Sequence, residues 1–299
     1  MASRRRGDQR RLASVNQTPG LPGFDGIVEA RRVSGGNHGT TWLATRGDDC
    51  EVVIKGGDHV PEGVFPAEAE GLEAISSTGA VATPNVLEVG PRHLVLETLR
   101  TPPDTDWAFW EEAGRAVAAM HANVGPAHGW HRDNWLGQLP QRNSWCSDGH
   151  EFFVRNRVLR YLDEQPIQEV LGLEVLHGIE RICDRLNSLV PVMAPVLCHG
   201  DLWSGNFLSA ADGRPALIDP AVAYTWSEVD ISMMYCEKRP DDCFFHAYHE
   251  VHPPQAGWKD RMDLLHLREL LSVLAHYGHW PELCAETAVR VGAVVTKYG

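Results

Sequence analysis

Three oxygen-bearing side chains, Asp201, Asn206 and Asp219, have the types and spacing for one piece of chemistry. Asp201 and Asn206 share the run Cys198-His-Gly-Asp-Leu-Trp-Ser-Gly-Asn206, and Asp219 closes Leu217-Ile218-Asp219-Pro220. A loop carboxylate can accept the proton of an attacking hydroxyl. A carboxamide and a second carboxylate are hard oxygen ligands of the kind Mg²⁺ takes. A base plus oxygen ligands for the metal on nucleotide phosphates is the minimum set for phosphoryl transfer. Each residue alone is an ordinary turn former. The order of parts is more specific: an apolar strand (Pro195 to Leu197), the loop, a hairpin at Asp212-Gly213, then apolar residues ending in Asp219.

Kinase catalytic loops place an Asp base five residues before a metal-binding Asn, and the Asp of a following loop holds the other metal. Asp201 is therefore the candidate base, with Asn206 and Asp219 the candidate metal ligands. His199-Gly-Asp stands where protein kinases have His-Arg-Asp, which gives His199 a supporting role. Asp230, on the helix after Asp219, resembles the kinase Asp that accepts hydrogen bonds from the catalytic-loop backbone.

The elements that must position these groups are legible upstream. Residues 27–55 read as three short strands, from β-branched alternation bounded by Gly and Asp. Between the first two lies Ser34-Gly35-Gly36-Asn37-His38-Gly39, a turn whose backbone N–H groups could approach phosphates. It is neither a Walker sequence nor a full Gly-x-Gly-x-x-Gly. Lys55 ends Val52-Val53-Ile54-Lys55, like the Val-Ala-Ile-Lys strand of kinases. The next segment, Phe65 to Ile75, has helical apolar spacing. In kinases a Glu on this helix pairs with the strand Lys and holds it on the phosphates; Glu68 and Glu70 are the candidates. Residues 86–90 and 93–97 read as two more strands. Leu94 to Leu99 resembles the hinge that holds adenine, through the carbonyl of Glu97 and the N–H of Leu99. Thr101-Pro-Pro-Asp104 breaks the chain, and the lobe boundary is placed near residue 100: 1–99 nucleotide-binding, with 1–26 as a leading segment, and 100–299 catalytic and acceptor-binding. Helices are expected over 106–122, from Phe152, and over 167–189, 241–251, 258–277 and 281–297.

The loop containing Trp203 and the Asp219-Pro-Ala221 sequence resemble the fructosamine kinase family, within the aminoglycoside phosphotransferase/choline kinase superfamily. So does Gly129-Trp130-His-Arg-Asp133-Asn134-Trp-Leu-Gly137…Pro140-Gln141-Arg-Asn143. The similarity covers roughly residues 27–280. It implies an α+β, two-lobed protein-kinase-like fold, with a small antiparallel-sheet lobe plus a helix and a larger, mainly helical lobe. It favours Glu68 as the partner of Lys55, with Gly35, Gly36, Asn37, His38, Glu97 and Leu99 completing the nucleotide site. It implies ATP with Mg²⁺ as donor, and a free or protein-bound ketoamine as acceptor. Phosphorylation of the sugar's 3-hydroxyl would destabilise the adduct and repair a glycated amine. On the acceptor side it places Trp203, Trp130, Asp133, Asn134, Gln141, Asn143 and Glu228; for the 130–143 stretch, turn and capping hydrogen bonds are the competing reading. The chain departs from the family pattern at Thr225–Ser227 and at Cys236–Lys238, both expected near the acceptor. An aminoglycoside-type phosphotransferase and a non-catalytic nucleotide-binding regulator are the alternatives.

Composition narrows the classes. With 299 residues, 43% hydrophobic and 22% charged, the chain is of ordinary globular make-up. No apolar run reaches membrane-spanning length, and no apolar segment follows the N-terminal arginines. Net charge is −13, with five Arg against one Asp in the first 14 residues. The acidic body argues against nucleic acid as a partner. Seven scattered Cys and no Cys-x-x-Cys suit free thiols in the cytoplasm. Among fifteen His, His246/His249 and His276/His279 stand at i, i+3, but no His-x-x-x-His lies beside a third ligand, so structural zinc is disfavoured. The Gly-rich turn has Asn37 and His38 where some relatives carry a Cys, so an intermolecular disulfide there is not expected. A monomer or weak dimer is expected.

Overall fold

A computed structural model describes residues 26–33, 39–102, 106–237 and 240–299. The first part is a five-stranded antiparallel sheet in the order β1-β2-β3-β5-β4. Its strands are β1 (Ile27–Val33), β2 (Thr40–Arg46), β3 (Glu51–Gly56), β4 (Val86–Val89) and β5 (His93–Glu97). One helix, α1 (Val64–Ser76), packs on it.

Strand periodicity decides which way Lys55 faces. Along β3, Val52 and Ile54 are buried in one small core with Ala44 and Val95. Val53 points to the other face, toward Val64, Phe65, Leu72, Leu94 and Leu96, where α1 lies. Lys55 is two residues on from Val53, so it faces α1 as well. On α1 the buried residues are Val64, Phe65, Ala67, Gly71, Leu72 and Ile75. Glu68 sits within that stripe, one turn from Val64 and from Leu72. Glu70 is two positions away, about 200° round the helix.

The chain then enters α2 (Trp107–Met120), whose first turn is capped by Asp106 accepting from the N–H groups of Ala108 and Phe109. A short hairpin follows, β6 (Asn134–Leu136) and β7 (Leu139–Gln141). Next come α3 (Gly149–Phe153), a π-helical stretch (Val154–Leu159), α4 (Arg160–Leu162), α5 (Gln165–Val170) and α6 (Leu173–Leu189). Two antiparallel pairs frame residues 199–222: β8 (Val196–Cys198) pairs with β11 (Ala223–Thr225), and β9 (Phe207–Ser209) with β10 (Pro215–Leu217). The remainder is helical: α7 (Ser227–Cys236), α8 (Asp242–Val251), α9 (Trp258–Leu265), α10 (Leu267–Tyr277) and α11 (Pro281–Tyr298). One large apolar core joins α2, α6, α7, α8, α10 and α11.

Two expected helices are each broken in two. The 167–189 helix is interrupted at Gly172, whose extended backbone (ψ 155°) precedes α6. The 258–277 helix is split at His266, between α9 and α10. Apolar spacing runs through both breaks, which is why periodicity alone did not show them.

Candidate active site

Lys55 and Glu68 meet as their positions on β3 and α1 require: Nζ lies 2.5 Å from Oε1, and both side chains are largely shielded. The same ammonium donates to Asp219 Oδ1. Burial alone would lower the pKa of Lys55, but Asp219 and Glu68 outweigh it and raise it. Lys55 is thus a fixed cation. Burial raises the pKa of Glu68 against the pull of Lys55. Asp219 is held at φ 58°, in the left-handed region. Asp tolerates that region better than most residues, and strain of this kind concentrates at functional positions.

The loop that carries Asp201 leaves β8 at Cys198 and is fixed from four sides. The carboxylate of Asp230, on α7, accepts the backbone N–H of His199 (2.6 Å) and of Gly200 (2.9 Å). The His121 ring donates to the same carboxylate at 3.2 Å, and its other nitrogen faces the Tyr248 hydroxyl. Burial opposes ionisation of Asp230, yet the His121 hydrogen bond and charge keep its pKa below the usual value. His199 donates from Nε2 to Ile218 O (2.9 Å), and Asp201 N–H donates to Nδ1, joining the loop to the residue before Asp219. Arg268, on α10, donates to Gly200 O at 2.8 Å. Gly200 itself has φ 82°, and a Cβ there would lie 2.0 Å from Ala221 O.

Asp201 and Asn206 come together. The Asn206 amide donates to Asp201 O (2.7 Å) and Oδ2 (2.9 Å). With Nδ2 committed to Asp201, the carboxamide oxygen is the part of Asn206 that suits a cation. Burial raises the pKa of Asp201, partly offset by His199 and Arg268. A carboxylate with a raised pKa takes a proton more readily than an ordinary one. The ring of Trp203 lies over Gly205, where a Cβ would come within 2.2 Å of it.

The 130–143 stretch turns four side chains inward, Asn134, Leu136, Gln141 and Asn143, and leaves 131–133, 138, 140 and 142 exposed. Asn134 donates to Val222 O, while Gln141 donates to Asn134 Oδ1 and Ala221 O. Asn143 donates to Asn134 Oδ1 and accepts from Arg157 at 2.6 Å. Asp133 is exposed and accepts the N–H of Asn143. These amides, expected on the acceptor side, are spent on each other and on the backbone of residues 221–222, just after Asp219. Glu228, also expected on the acceptor side, is on α7. It forms a buried bidentate pair with Arg261, at 2.6 and 2.9 Å. Trp130 donates to Glu70 and stacks near Tyr224. The departures at 225–227 lie in the core: Thr225, Trp226 and Ser227 are buried, and Trp226 stacks on Phe153. Cys236 and Glu237 lie beside Asp263, His266 and Arg290, and Lys238 lies outside the described residues.

Of the residues expected to hold the nucleotide, Gly35, Gly36, Asn37 and His38 also lie outside the described residues. Gly39, which follows them, packs its Cα against Gly56 O at φ 78°, a contact that excludes a side chain. Glu97 ends β5, and its carboxylate accepts from the Asn85 side chain at 2.8 Å. Leu99 is half-buried on the connection that joins the lobes, where Arg100 and Ser209 exchange backbone hydrogen bonds.

The residues missed from sequence are the buried arginines Arg157, Arg261 and Arg268, with Glu269. Burial pushes the Glu269 carboxyl up to about 7, against the pull of Arg268. A signal existed: Arg268-Glu269 interrupts an otherwise apolar helical run, and a charge pair within such a run is buried only when paired.

Comparison with known proteins adds a family to this geometry. Residues 15–290 match the profile described as fructosamine kinase. The chain is 30% identical over 269 residues to a Synechocystis sp. protein described as a probable ketoamine kinase, covering 88% of this chain and 89% of that one. It is 31% identical over 241 residues to a chloroplastic protein-ribulosamine 3-kinase of Arabidopsis thaliana, covering 75% and 70%. A solved Thermobifida fusca protein assigned as a fructosamine-3-kinase superposes with a TM-score of 0.80 at 28% identity, over 89% of this chain and 94% of that one. An aminoglycoside phosphotransferase shares the fold, with a TM-score of 0.64 at 17% identity over 92% and 96%.

Proposed function

Because the chain belongs to the fructosamine kinase family, we propose that it transfers the γ-phosphate of ATP to the 3-hydroxyl of a ketoamine, a fructosamine or ribulosamine. The acceptor is a sugar adduct of an amine, free or on a protein, and the outcome is removal of the adduct. The observation that carries the reading is the junction of Lys55, Glu68 and Asp219 beside the Asp201–Asn206 pair.

The residues fit a nucleotide with its metal. Asp219 and Asn206 offer hard oxygens, and the Asp219 side chain is 38% exposed, open to a cation. When bound, Mg²⁺ neutralises charge on the transferring phosphoryl group. Lys55 has three ammonium donors, of which Glu68 and Asp219 take two; the third is suited to a phosphate oxygen. Asp201 takes the proton of the acceptor hydroxyl and orients that oxygen, with its own position set by Asn206 and by the braced loop. Trp203 is suited to wall the sugar. Asn134, Gln141, Asn143 and Glu228 are assigned to support: they hold the backbone after Asp219 and the base of α7 rather than touching the acceptor. Adenine is assigned to the backbone of Glu97 and Leu99.

No helix among the described residues is long and apolar enough to cross a membrane. The odd, scattered cysteines suit a reducing compartment, so we place the enzyme in the cytoplasm, acting as a monomer or weak dimer. The test is ADP release with a ketoamine panel, an aminoglycoside panel and no acceptor. Ketoamine-dependent release with a 3-phosphorylated product is expected. Release with aminoglycosides alone, or none with any acceptor, would overturn the proposal.

A further inference from the structure

Glu70 lies one residue beyond Ala69 from the Lys55 partner Glu68, yet it faces a different part of the molecule. Three nitrogens converge on its carboxylate, one through a hydrogen bond and two as ion-pair contacts. The Trp130 indole N–H reaches Oε1 at 2.7 Å, His131 Nε2 lies 2.8 Å from the same oxygen, and Arg132 Nε lies 2.9 Å from Oε2. All three come from consecutive residues of the loop before β6, which belongs to the helical lobe. Glu70 belongs to α1, which belongs to the sheet lobe.

The loop end of this contact is itself fixed. Trp130 lies beside Tyr224, ring centroids 5.5 Å apart, and its backbone N–H donates to Asn143 O. Gly129 exchanges backbone hydrogen bonds with Tyr224. Tyr224 sits on β11, paired with Leu197 of the strand that leads into the catalytic loop. At the helix end, Gly71 is packed so closely on Pro220 and Val222 that an added Cβ would lie 3.0 Å from the proline ring. A carboxylate meeting three adjacent nitrogens at this point bears on the rotation and the height of α1 over residues 220–222. That placement decides whether Glu68 reaches Lys55.

We propose that Glu70 is a positioning residue: through the Trp130–Arg132 loop it latches α1 to the helical lobe and keeps Glu68 on Lys55. The inference rests on the phosphotransferase reading above and extends it to a residue that contacts neither nucleotide nor acceptor. The latch adds little to global stability, because His131 and Arg132 are 56% and 39% exposed and such ion pairs are worth little. Its effect falls on the geometry of the phosphate-holding pair. The same geometry explains why two acidic residues, 68 and 70, sit together on a helix that otherwise faces a core: the two faces serve two contacts.

The test is a cycle on the full chain. Glu70→Ala is expected to lower kcat by about tenfold, within the range by which residues along a contact network modulate a distant site. In a Glu68→Ala background the same change should cost less than about twofold, since residues acting as one unit are non-additive. Glu70→Gln keeps one acceptor oxygen and should restore part of the loss. Trp130→Phe removes one donor while keeping the ring, and should fall between the two. Equal losses in both backgrounds, or a Glu70→Ala enzyme with unchanged kcat, would overturn the proposal. An independent readout needs no acceptor: the rise in melting temperature given by Mg²⁺-ATP should shrink in Glu70→Ala and should not shrink further when Glu68→Ala is added. An undiminished rise overturns the latch, whereas a wild-type enzyme inert toward every ketoamine overturns only the function on which it rests.

Discussion

Replacing Gly200 with alanine isolates what holds the catalytic loop in place. Gly200 has φ 82°, and a Cβ there would lie 2.0 Å from Ala221 O and 2.8 Å from its carbonyl carbon. Neither side can yield freely. Gly200 is held by Asp230 through its N–H and by Arg268 through its carbonyl. Ala221 is held by His199 O through its N–H and by Gln141 through its carbonyl. Gly213, at the tip of the β9–β10 hairpin, supplies the control: its φ is 92°, but nothing lies within 4 Å of its added Cβ. Gly213→Ala should therefore cost only the left-handed backbone term, about 1–2 kcal/mol. Gly200→Ala adds an overpacking term of about 1–3 kcal/mol, for a total of about 2–5. For a chain of this size about 2 °C of melting temperature accompanies each kcal/mol. Thermal unfolding should thus separate the two variants, with losses of about 2–4 °C and about 4–10 °C. Turnover per folded molecule should fall at least about a hundredfold in Gly200→Ala, because the shift needed to relieve the clash approaches the 1 Å that disrupts catalytic alignment. Gly213→Ala should keep its turnover. Equal destabilisation by the two changes would refute the close contact. A destabilised Gly200→Ala enzyme with normal turnover would refute the claim that this contact aims Asp201.

Further outcomes follow from the same geometry. Asp201→Asn should keep nucleotide affinity and lose at least about a hundredfold in kcat, the range for a positioned base; unimpaired turnover in steady-state kinetics would end that assignment. Trp203→Ala should raise KM for the ketoamine and leave KM for ATP nearly unchanged. Equal rises in both, with a lowered melting temperature, would place the ring in the packing instead. Arg261→Leu leaves Glu228 buried without its bidentate partner and should cost about 3–5 kcal/mol in urea unfolding. A loss below about 1 kcal/mol would show that the pair is dispensable. Glu237 accepts from His266 and Arg290, which hold its carboxyl down to about 2 from 4.5 against burial. A carboxylate depressed in the folded state contributes stability above its unfolded pKa and loses it as pH falls toward the folded one. Melting temperature should therefore drop between about pH 4.5 and 2, less steeply in Glu237→Gln, and an identical slope in the two proteins would remove Glu237 from the acid transition.

The sequence by itself marked the candidate residues and the elements that carry them. Asp201, Asn206 and Asp219 were legible because they are local: each lies at the end of a short strand or in the loop between two. The facing of Lys55 was legible for a similar reason, since a period of two in β3 and an apolar stripe on α1 fix which faces meet. Sequence periodicity placed Glu68 and Glu70 on one helix, but which of them reaches Lys55 is a question of rotation about the helix axis. Tertiary contacts set that rotation: the packing of Gly71 on Pro220 and Val222, and the contacts of Glu70 with residues 130–132. Tertiary structure also decided the surroundings of the loop. Asp230 lies 31 positions from the N–H group it accepts at His199, and Arg268 lies 68 from the carbonyl it holds at Gly200. No local pattern encodes such separations. The polar run 130–143 shows the limit most plainly. A stretch rich in Asn, Gln and Trp reads the same whether its amides meet a sugar or the backbone of residues 221–222. Burial separates the two, because an amide taken from water must find its partners inside the protein.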